Sequence, residues 1–139
     1  MRIKKYLRVL IRSKSLAFAK SYFLKENLSE NHSFYTWKKR RIRFRPNSSD
    51  AGYIYDILLK PHYKADYWVP ENLNPKIIFD IGANIGISAI YFSHRFPDAK
   101  IYAFEPIKEN YQLLLENTAG LKNVKAFQVA FGMVFGFSW

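Results

Sequence analysis

The residues of this sequence that are best suited to chemistry lie between positions 80 and 105. Asp80 is followed by a glycine turn at residues 82–86, and Glu105 lies 25 positions after Asp80. Glycines let the backbone approach a ligand without a Cβ in the way, and the two oxygens of a carboxylate match the two hydroxyls of a ribose. The offset is close to the roughly 20 residues expected for a ribose-binding acid. This combination predicts that the segment binds a nucleoside.

The type of nucleoside is indicated by two positions where a dinucleotide motif would carry glycine. A G-x-G-x-x-G motif counted from Gly82 needs glycine at 84 and 87, where the sequence has Asn84 and Ile87. The second glycine of the motif lets a pyrophosphate come close, so its absence counts against NAD, which stays a minor alternative. S-adenosylmethionine carries no phosphate and bears an ammonium and a sulfonium group. Such a cofactor tolerates Asn84 and is favoured by nearby acids.

The elements that must position these residues follow from the apolar pattern of residues 76–132. The run at 77–81 is almost wholly apolar, as in a strand buried on both faces of a parallel sheet. Apolar residues then recur at helical spacing after the glycine turn and again after Pro106. The predicted elements are, in order, strand 77–81, a helix ending before Pro97, strand 100–105, a helix from Ile107 to a cap at Gly120, and strand 124–130.

The alternation of strands and helices predicts the fold class. With right-handed crossovers it makes an α/β fold, the N-terminal half of a Rossmann-like doubly wound parallel sheet with three strands visible. In such sheets ligands bind beyond the carboxyl ends of the strands. Asp80 and Glu105 both lie at such ends, which strengthens the cofactor prediction.

These residues also resemble a known family, the FkbM-like branch of class I S-adenosylmethionine-dependent methyltransferases. The resemblance covers about residues 43–132. The stretches that carry it are 80–86, 102–106, 114–117 and 123–124, with a weaker similarity at 43–50 and along the aromatic run to Tyr63.

The resemblance implies a cofactor, a reaction and a set of site residues. It implies that the chain binds S-adenosylmethionine and that family members act mostly as O-methyltransferases on sugars or other natural-product hydroxyls. Glu105 would hold the ribose, while Pro106 and Ile107 would flank the adenine. The residues expected around the methionine end are Asp80, Gly82, Ala83, Asn84 and Gly86. No residue is assigned as the catalytic base, and the expected partner is a small-molecule or saccharide methyl acceptor.

Composition limits the other function classes. The 139 residues carry a net charge of +11, and 49% of them are hydrophobic, which excludes intrinsic disorder. Cysteine is absent, so a disulfide framework, a thiolate metal site and a thiol nucleophile are excluded, and we expect no metal. No stretch is long and apolar enough for a transmembrane helix, and a cytoplasmic protein is the expectation.

The positive charge is concentrated at the N-terminus. Residues 1–45 hold 14 of the 22 basic residues and two acids, a net charge of +12. Residues 1–25 predict one partly amphipathic helix, with an apolar arc at Ile3, Leu7, Leu10, Ile11, Phe18 and Tyr22. This arc could pack on its own domain or attach to an anionic membrane surface, and an organelle-targeting leader is a further alternative.

A second basic cluster occupies residues 38–45. Its later half alternates basic and apolar residues, as a half-exposed strand does, and no nucleic-acid-binding module surrounds it. Nucleic acid is therefore an unlikely partner.

We expect three regions: a basic amphipathic leader at 1–45, a helix and aromatic connector at 46–75, and an incomplete S-adenosylmethionine-binding methyltransferase domain at 76–139. The apolar tail after Ala130 departs from the family pattern. A truncated and inactive copy of a longer methyltransferase is therefore one expectation. The alternative function is a non-catalytic basic module that attaches to an anionic membrane surface or to nucleic acid.

Overall fold

The computed structural model describes residues 2–23, 32–46, 48–61, 67 and 69–130. Its C-terminal half contains a parallel sheet of three strands, β3 (Ile77–Ile81), β4 (Lys100–Phe104) and β5 (Val124–Phe127), in that order. Helix α4 (Ile87–Arg95) connects β3 to β4, and α5 (Lys108–Thr118) connects β4 to β5. The predicted α/β fold with three strands of a Rossmann-like sheet is confirmed.

Several observed ends differ from the prediction, and β4 ends at Phe104, one residue before the predicted end. Strand β5 ends at Phe127, three residues before the predicted end. Gly120 follows α5 with a φ of +78°, the left-handed conformation that ends many helices and that glycine adopts without strain. The apolar tail at residues 131–139 lies outside the described part of the chain.

The two faces of the sheet have different surroundings. Helices α4 and α5 pack on one face, where the buried core consists of Ala83, Ala89, Ile101, Ala103 and Leu114. On the other face Ile77, Phe79 and Ile81 are 54%, 64% and 63% exposed. The prediction that β3 is buried on both faces is wrong, because no element among the described residues covers its second face.

The N-terminal residues form two helices instead of the single predicted helix. Helix α1 (Arg2–Ser13) ends at Lys14, which has a φ of +52°, and α2 (Leu16–Phe23) begins two residues later. A left-handed residue cannot continue an α-helix, so the chain turns a corner there. The Ser15 hydroxyl accepts a 3.1 Å hydrogen bond from the Phe18 N–H at the start of α2.

This corner changes which residues face inward. Val9 and Phe18 are buried, whereas Ile3, Leu7 and Ile11 of the predicted arc are exposed. A single apolar arc does not describe the buried residues of both helices, because the chain changes direction at Lys14 and each helix turns a different side toward the core. None of the described helices is long and apolar enough to cross a membrane.

The basic cluster forms the second strand of an antiparallel hairpin. Strand β1 (Ser33–Trp37) pairs with β2 (Arg40–Phe44), and residues 38–39 make the two-residue turn with φ angles of 46° and 70°. Such turns match the right-handed twist of the strands. Ile42 and Phe44 are buried, whereas Arg41 is exposed and Arg43 is half-buried, which confirms the predicted half-exposed strand.

A short helical segment follows the hairpin. Helix α3 (Asp50–Tyr53) continues into a π-helical turn at Ile54–Leu59. The Asp50 N–H donates to the Ser48 hydroxyl at 3.0 Å, while the Asp50 carboxylate pairs with Arg45. The helix predicted within residues 46–75 is therefore present at 50–59 with a π-helical second half, and the Ser48 hydroxyl accepts from the first N–H of this segment.

The N-terminal elements and the parallel sheet unit share one core. Ile85, Ile87 and Ile90, at the start of α4, belong to the same buried cluster as the hairpin and the first helices. The members from residues 1–60 are Val9, Phe18, Ala19, Tyr35, Ile42, Phe44, Ala51, Ile54, Tyr55 and Ile57.

Asn117 joins the hairpin to the sheet unit by hydrogen bonds. Its side chain accepts from the Arg43 N–H at 2.7 Å and donates to the carbonyl oxygens of Arg43 and Ile85, each at 2.9 Å. Arg40 adds two 3.0 Å bonds to the carbonyl oxygens of Asn117 and Ala119 at the end of α5. Because a helix C-terminus leaves carbonyls unpaired, this cation satisfies groups that the helix cannot.

Candidate functional site

The glycine turn lies at the carboxyl end of β3 and is held against β4. The N–H groups of Gly82 and Ala83 both donate to the carbonyl oxygen of Phe104 at 2.9 Å, and Gly86 donates to that of Ala83 at 2.8 Å. Gly82, Asn84 and Gly86 have φ angles of 78°, 50° and 89°. Glycine and asparagine are the residues that adopt this conformation most readily, so the turn is built from the types its geometry requires.

Glu105 closes the turn from the end of β4. The residue is 4% exposed, and its Oε2 accepts a 2.9 Å bond from the Asn84 N–H. Oε1 accepts from the Ile107 N–H at 3.0 Å and from Asn110 Nδ2 at 3.2 Å. A carboxylate offers about four acceptor positions. Three of them therefore connect the glycine turn to Ile107 and to the first turn of α5.

Asp80 occupies a buried position at the end of β3. Its side chain is 5% exposed in total, and Oδ2 accepts a 2.6 Å hydrogen bond from the Ser88 hydroxyl of α4. Burial raises the pKa of this carboxyl above its usual range, and the bond from Ser88 partly opposes the shift. Asp80 therefore ties the strand to the helix and holds its proton more tightly than an exposed aspartate.

The two turn glycines have different surroundings. A Cβ on Gly86 would lie 2.8 Å from Leu114 Cδ1 and 3.2 Å from Thr118 Cγ2, whereas a Cβ on Gly82 would meet nothing within 4 Å. The missing side chain of Gly86 thus lets α5 approach the start of α4. Gly82 faces open space, where a ligand could approach its backbone.

A cavity of about 380 Å³ opens beside the turn. This volume falls within the roughly 300–1,000 Å³ of small-molecule sites. Oδ1 of Asn84 is buried and accepts no hydrogen bond from the described residues. A buried acceptor without a donor is costly, so a ligand donor that reached this oxygen would relieve that cost. The lining residues are Tyr53, Ile57, Tyr67, Gly82, Ala83, Asn84, Ile85, Ile87 and Ser88.

Some of the predicted site residues line this cavity, and others do not. Gly82, Ala83 and Asn84 line it. The remaining predicted residues lie behind the turn or at the start of α5, where Pro106 and Ile107 are exposed. Those that do not line the cavity are Asp80, Gly86, Glu105, Pro106 and Ile107.

Six lining residues were not predicted as site residues: Ile85, Ile87 and Ser88 lie in or just after the glycine turn, and the other three come from an earlier part of the chain. Tyr53 and Ile57 come from α3 and the π-helical turn, and Tyr67 from the segment after them. The ring of Tyr67 packs edge-on against Phe92 of α4, with centroids 5.5 Å apart. The density of aromatic residues between 53 and 68 was the available signal, but it does not say which rings face the turn.

His94 lies on the hairpin side of the molecule. It contacts Lys38 and packs edge-on against Trp37, with ring centroids 5.2 Å apart. Partial burial, together with the charge of Lys38, lowers the pKa of His94. It does not line the cavity beside the turn. Across the described part of the chain, no three His, Asp or Glu side chains cluster as metal ligands.

Comparison with known proteins finds two curated relatives. The chain is 38% identical over 82 residues to the methyltransferase sdnD of Sordaria araneosa, a match over 57% of this chain and 30% of that protein. It is 36% identical over 63 residues to the AMB antimetabolite synthetase AmbE of Pseudomonas aeruginosa, a match over 44% of this chain and 3% of that protein. This chain thus spans less than a third of either relative's length.

Other comparisons add a structural neighbour and no family model. The P. horikoshii TYW2 structure in complex with MeSAdo aligns with a TM-score of 0.49 at 13% identity, over 72% of this chain and 36% of that one. No family model matches the sequence. The sequence similarity to sdnD supports the methyltransferase class, and the FkbM-like branch stays a prediction.

Proposed function

We propose that this chain is the cofactor-binding part of an S-adenosylmethionine-dependent methyltransferase. The observation that carries the proposal is the glycine turn, closed by Glu105, with the unpartnered Oδ1 of Asn84 beside a small-molecule cavity. The methionine end of S-adenosylmethionine has an ammonium group with donors to offer such an acceptor. The missing second glycine of the dinucleotide motif argues for this cofactor over NAD, whose pyrophosphate needs that glycine.

The proposed binding residues form two groups, one for the adenosine end of the cofactor and one for its methionine end. Glu105 would accept from the ribose hydroxyls, and Pro106 and Ile107 would flank the adenine. The methionine end would be surrounded by Asp80, Gly82, Ala83, Asn84 and Gly86. Support for the ribose role is the fourth acceptor position of Glu105, which its three hydrogen bonds leave open. The bond from Asn110, the longest of the three, would be the first to give way to a second hydroxyl.

The chemistry would be supplied by the cofactor, whose sulfonium carries a transferable methyl group. The residues of this chain would bind and orient it: the turn fixes the backbone that faces the methionine end, and Ser88 holds the Asp80 carboxylate in place. Rigid positioning of this kind is what brings a reacting methyl into line with an acceptor. No residue of the chain is assigned as the base.

We further propose that the acceptor is a hydroxyl of a sugar or of another natural product, as in the FkbM-like branch. Support comes from the resemblance at residues 80–86 and 102–106, and from the name of AmbE, an antimetabolite synthetase. A cytoplasmic location is a prediction from the cysteine-free composition.

Equilibrium dialysis of the folded chain against labelled S-adenosylmethionine tests the proposal. We expect saturable binding that excess NAD does not compete away. Asn84→Ala should weaken binding at least about tenfold, since a lost hydrogen bond to a charged group is worth about 1.5–3 kcal/mol. The matched control is Asn72→Ala, an exposed loop asparagine. The proposal would be overturned if the folded chain bound no S-adenosylmethionine. It would also be overturned if the Asn84→Ala and Asn72→Ala variants bound the cofactor equally well.

A further inference from the structure

Helix α1 exposes an apolar ridge that the fold does not use. Ile3, Leu7 and Ile11 are 77%, 49% and 70% exposed, and Leu16 at the start of α2 is 54% exposed. Residues four apart lie along one side of a helix, so the first three form a continuous ridge. The helix contacts the core instead through Val9, with the other inward positions at Tyr6, Leu10 and Ser13. Packing within the described chain therefore does not account for this ridge.

A basic ridge lies directly beside the apolar one. Lys4 and Arg8 precede Leu7 and Ile11 by three positions each, which places them beside those residues on the surface of the helix. Both are exposed. Residues 2–23 contain seven basic residues and no acid. The exposed side of α1 thus combines aliphatic side chains and positive charge, and residues 2–23 contribute no negative charge to it.

We propose that α1 lies on an anionic membrane surface, with the ridge Ile3, Leu7 and Ile11 in the lipid boundary and Lys4 and Arg8 against the headgroups. Helices with one apolar side and adjacent Lys and Arg residues lie in the plane of a bilayer interface. Anionic lipids attract such cations. This attachment goes beyond the proposed methyl transfer and does not depend on it.

A nucleic acid fits the same surface less well. Phosphates would neutralise the basic ridge, but the three exposed aliphatic side chains would stay in water. A membrane surface takes both the charges and the apolar side chains, since lipid tails lie below the headgroups. Charge complementarity together with apolar burial therefore favours lipid.

Sedimentation of the full chain with lipid vesicles tests the inference. We expect binding to vesicles of equal parts phosphatidylcholine and phosphatidylglycerol, little binding to pure phosphatidylcholine, and loss of binding as salt screens the charges. Lys4→Gln with Arg8→Gln should weaken binding about fivefold for each charge removed. Ile3→Ser with Ile11→Ser should weaken it at least as much without changing the charge.

The matched control is Ile77→Ser with Ile81→Ser, which changes two similarly exposed isoleucines on the open face of the sheet. Denaturation midpoints establish that each variant is folded. Three results would overturn the inference: no binding of the folded chain to anionic vesicles, whether or not it binds a nucleic-acid duplex; an equal loss of vesicle binding in the control pair; or self-association that the Ile3 and Ile11 variants abolish without any lipid binding.

Discussion

The backbone N–H of Asn84 donates a 2.9 Å hydrogen bond to Oε2 of Glu105, which lies 21 positions later in the chain. The same carboxylate accepts from the Ile107 N–H. Two loops at the carboxyl ends of the parallel strands are therefore held by one side chain. The geometry of the turn depends on the residue that was predicted from sequence as a ligand contact.

Glu105→Ala tests this dependence. We expect it to lower the free energy of unfolding by about 1–3 kcal/mol, because buried donors lose their acceptor. Binding of S-adenosylmethionine should weaken by about 10- to 100-fold, which corresponds to about 1.4–2.7 kcal/mol. Glu109→Ala, an exposed acid in the first turn of α5, is the control. Equal effects of the two variants in dialysis would remove the support for a ribose role of Glu105.

Gly86→Ala should destabilise the fold more than Gly120→Ala. Both glycines have a left-handed φ, so each variant carries a strain of about 1–2 kcal/mol. Only at Gly86 does the added Cβ meet Leu114 and Thr118, which should add about 1–3 kcal/mol. Urea denaturation measures the difference. If the two variants unfold at the same urea concentration, α5 does not need the space at Gly86.

Asn117→Ala should destabilise the chain by about 2–4 kcal/mol. The side chain is 1% exposed and makes three hydrogen bonds to Arg43 and Ile85, so its removal leaves buried backbone groups unpaired. Chemical denaturation monitored by circular dichroism measures the loss. Asn72→Ala, at an exposed asparagine, serves for comparison. A loss below about 0.5 kcal/mol, the range of ordinary surface substitutions, would contradict the central role of Asn117.

Asp80 should contribute a pH-dependent term to stability. Burial raises its pKa in the folded state. The folded chain thus binds this proton more tightly than the unfolded chain. The resulting stabilisation is fully present below the pKa of an unfolded aspartate, about 3.9, and is lost as the pH rises through the raised pKa.

The variant Asp80→Asn removes this term and keeps an acceptor for the Ser88 hydroxyl. Its free energy of unfolding should therefore fall less than that of the unchanged chain as the pH rises from acid to neutral. Denaturant titrations at a series of pH values measure the two slopes. Asp98→Asn, an exposed aspartate, is the matched control. Parallel slopes for the chain and Asp80→Asn would contradict the prediction.

The sheet and its glycine turn could be predicted because their signals are local. Apolar runs, turn glycines and helical spacing each lie within a few residues, and the strand–helix alternation leaves few topologies. The exposure of Phe79 could not be predicted in this way. An apolar run indicates that a strand prefers burial, but not whether an element is present to cover it.

The parts that escaped prediction depend on contacts between distant residues. Periodicity alone does not reveal that Lys14 adopts a left-handed conformation and divides the first helix. The contribution of Tyr53 to the cavity requires knowledge of how α3 packs against the turn. The ligand role of Glu105 was inferred from its place at a strand end, whereas its bonds to Asn84 and Ile107 appear only in three dimensions.

The hydrogen bonds between Arg43 and Asn117 also limit how early the hairpin can be completed during synthesis on the ribosome. The two residues are 74 positions apart, and chains are synthesised at about 5–20 residues per second. The hydrogen bonds between the hairpin and Asn117 can therefore form only roughly 4–15 s after the hairpin has been made. During that interval Ile42 and Phe44 lack the partners from α4 and α5 that bury them, so a slowly translated message leaves the nascent hairpin open to chaperones and to aggregation.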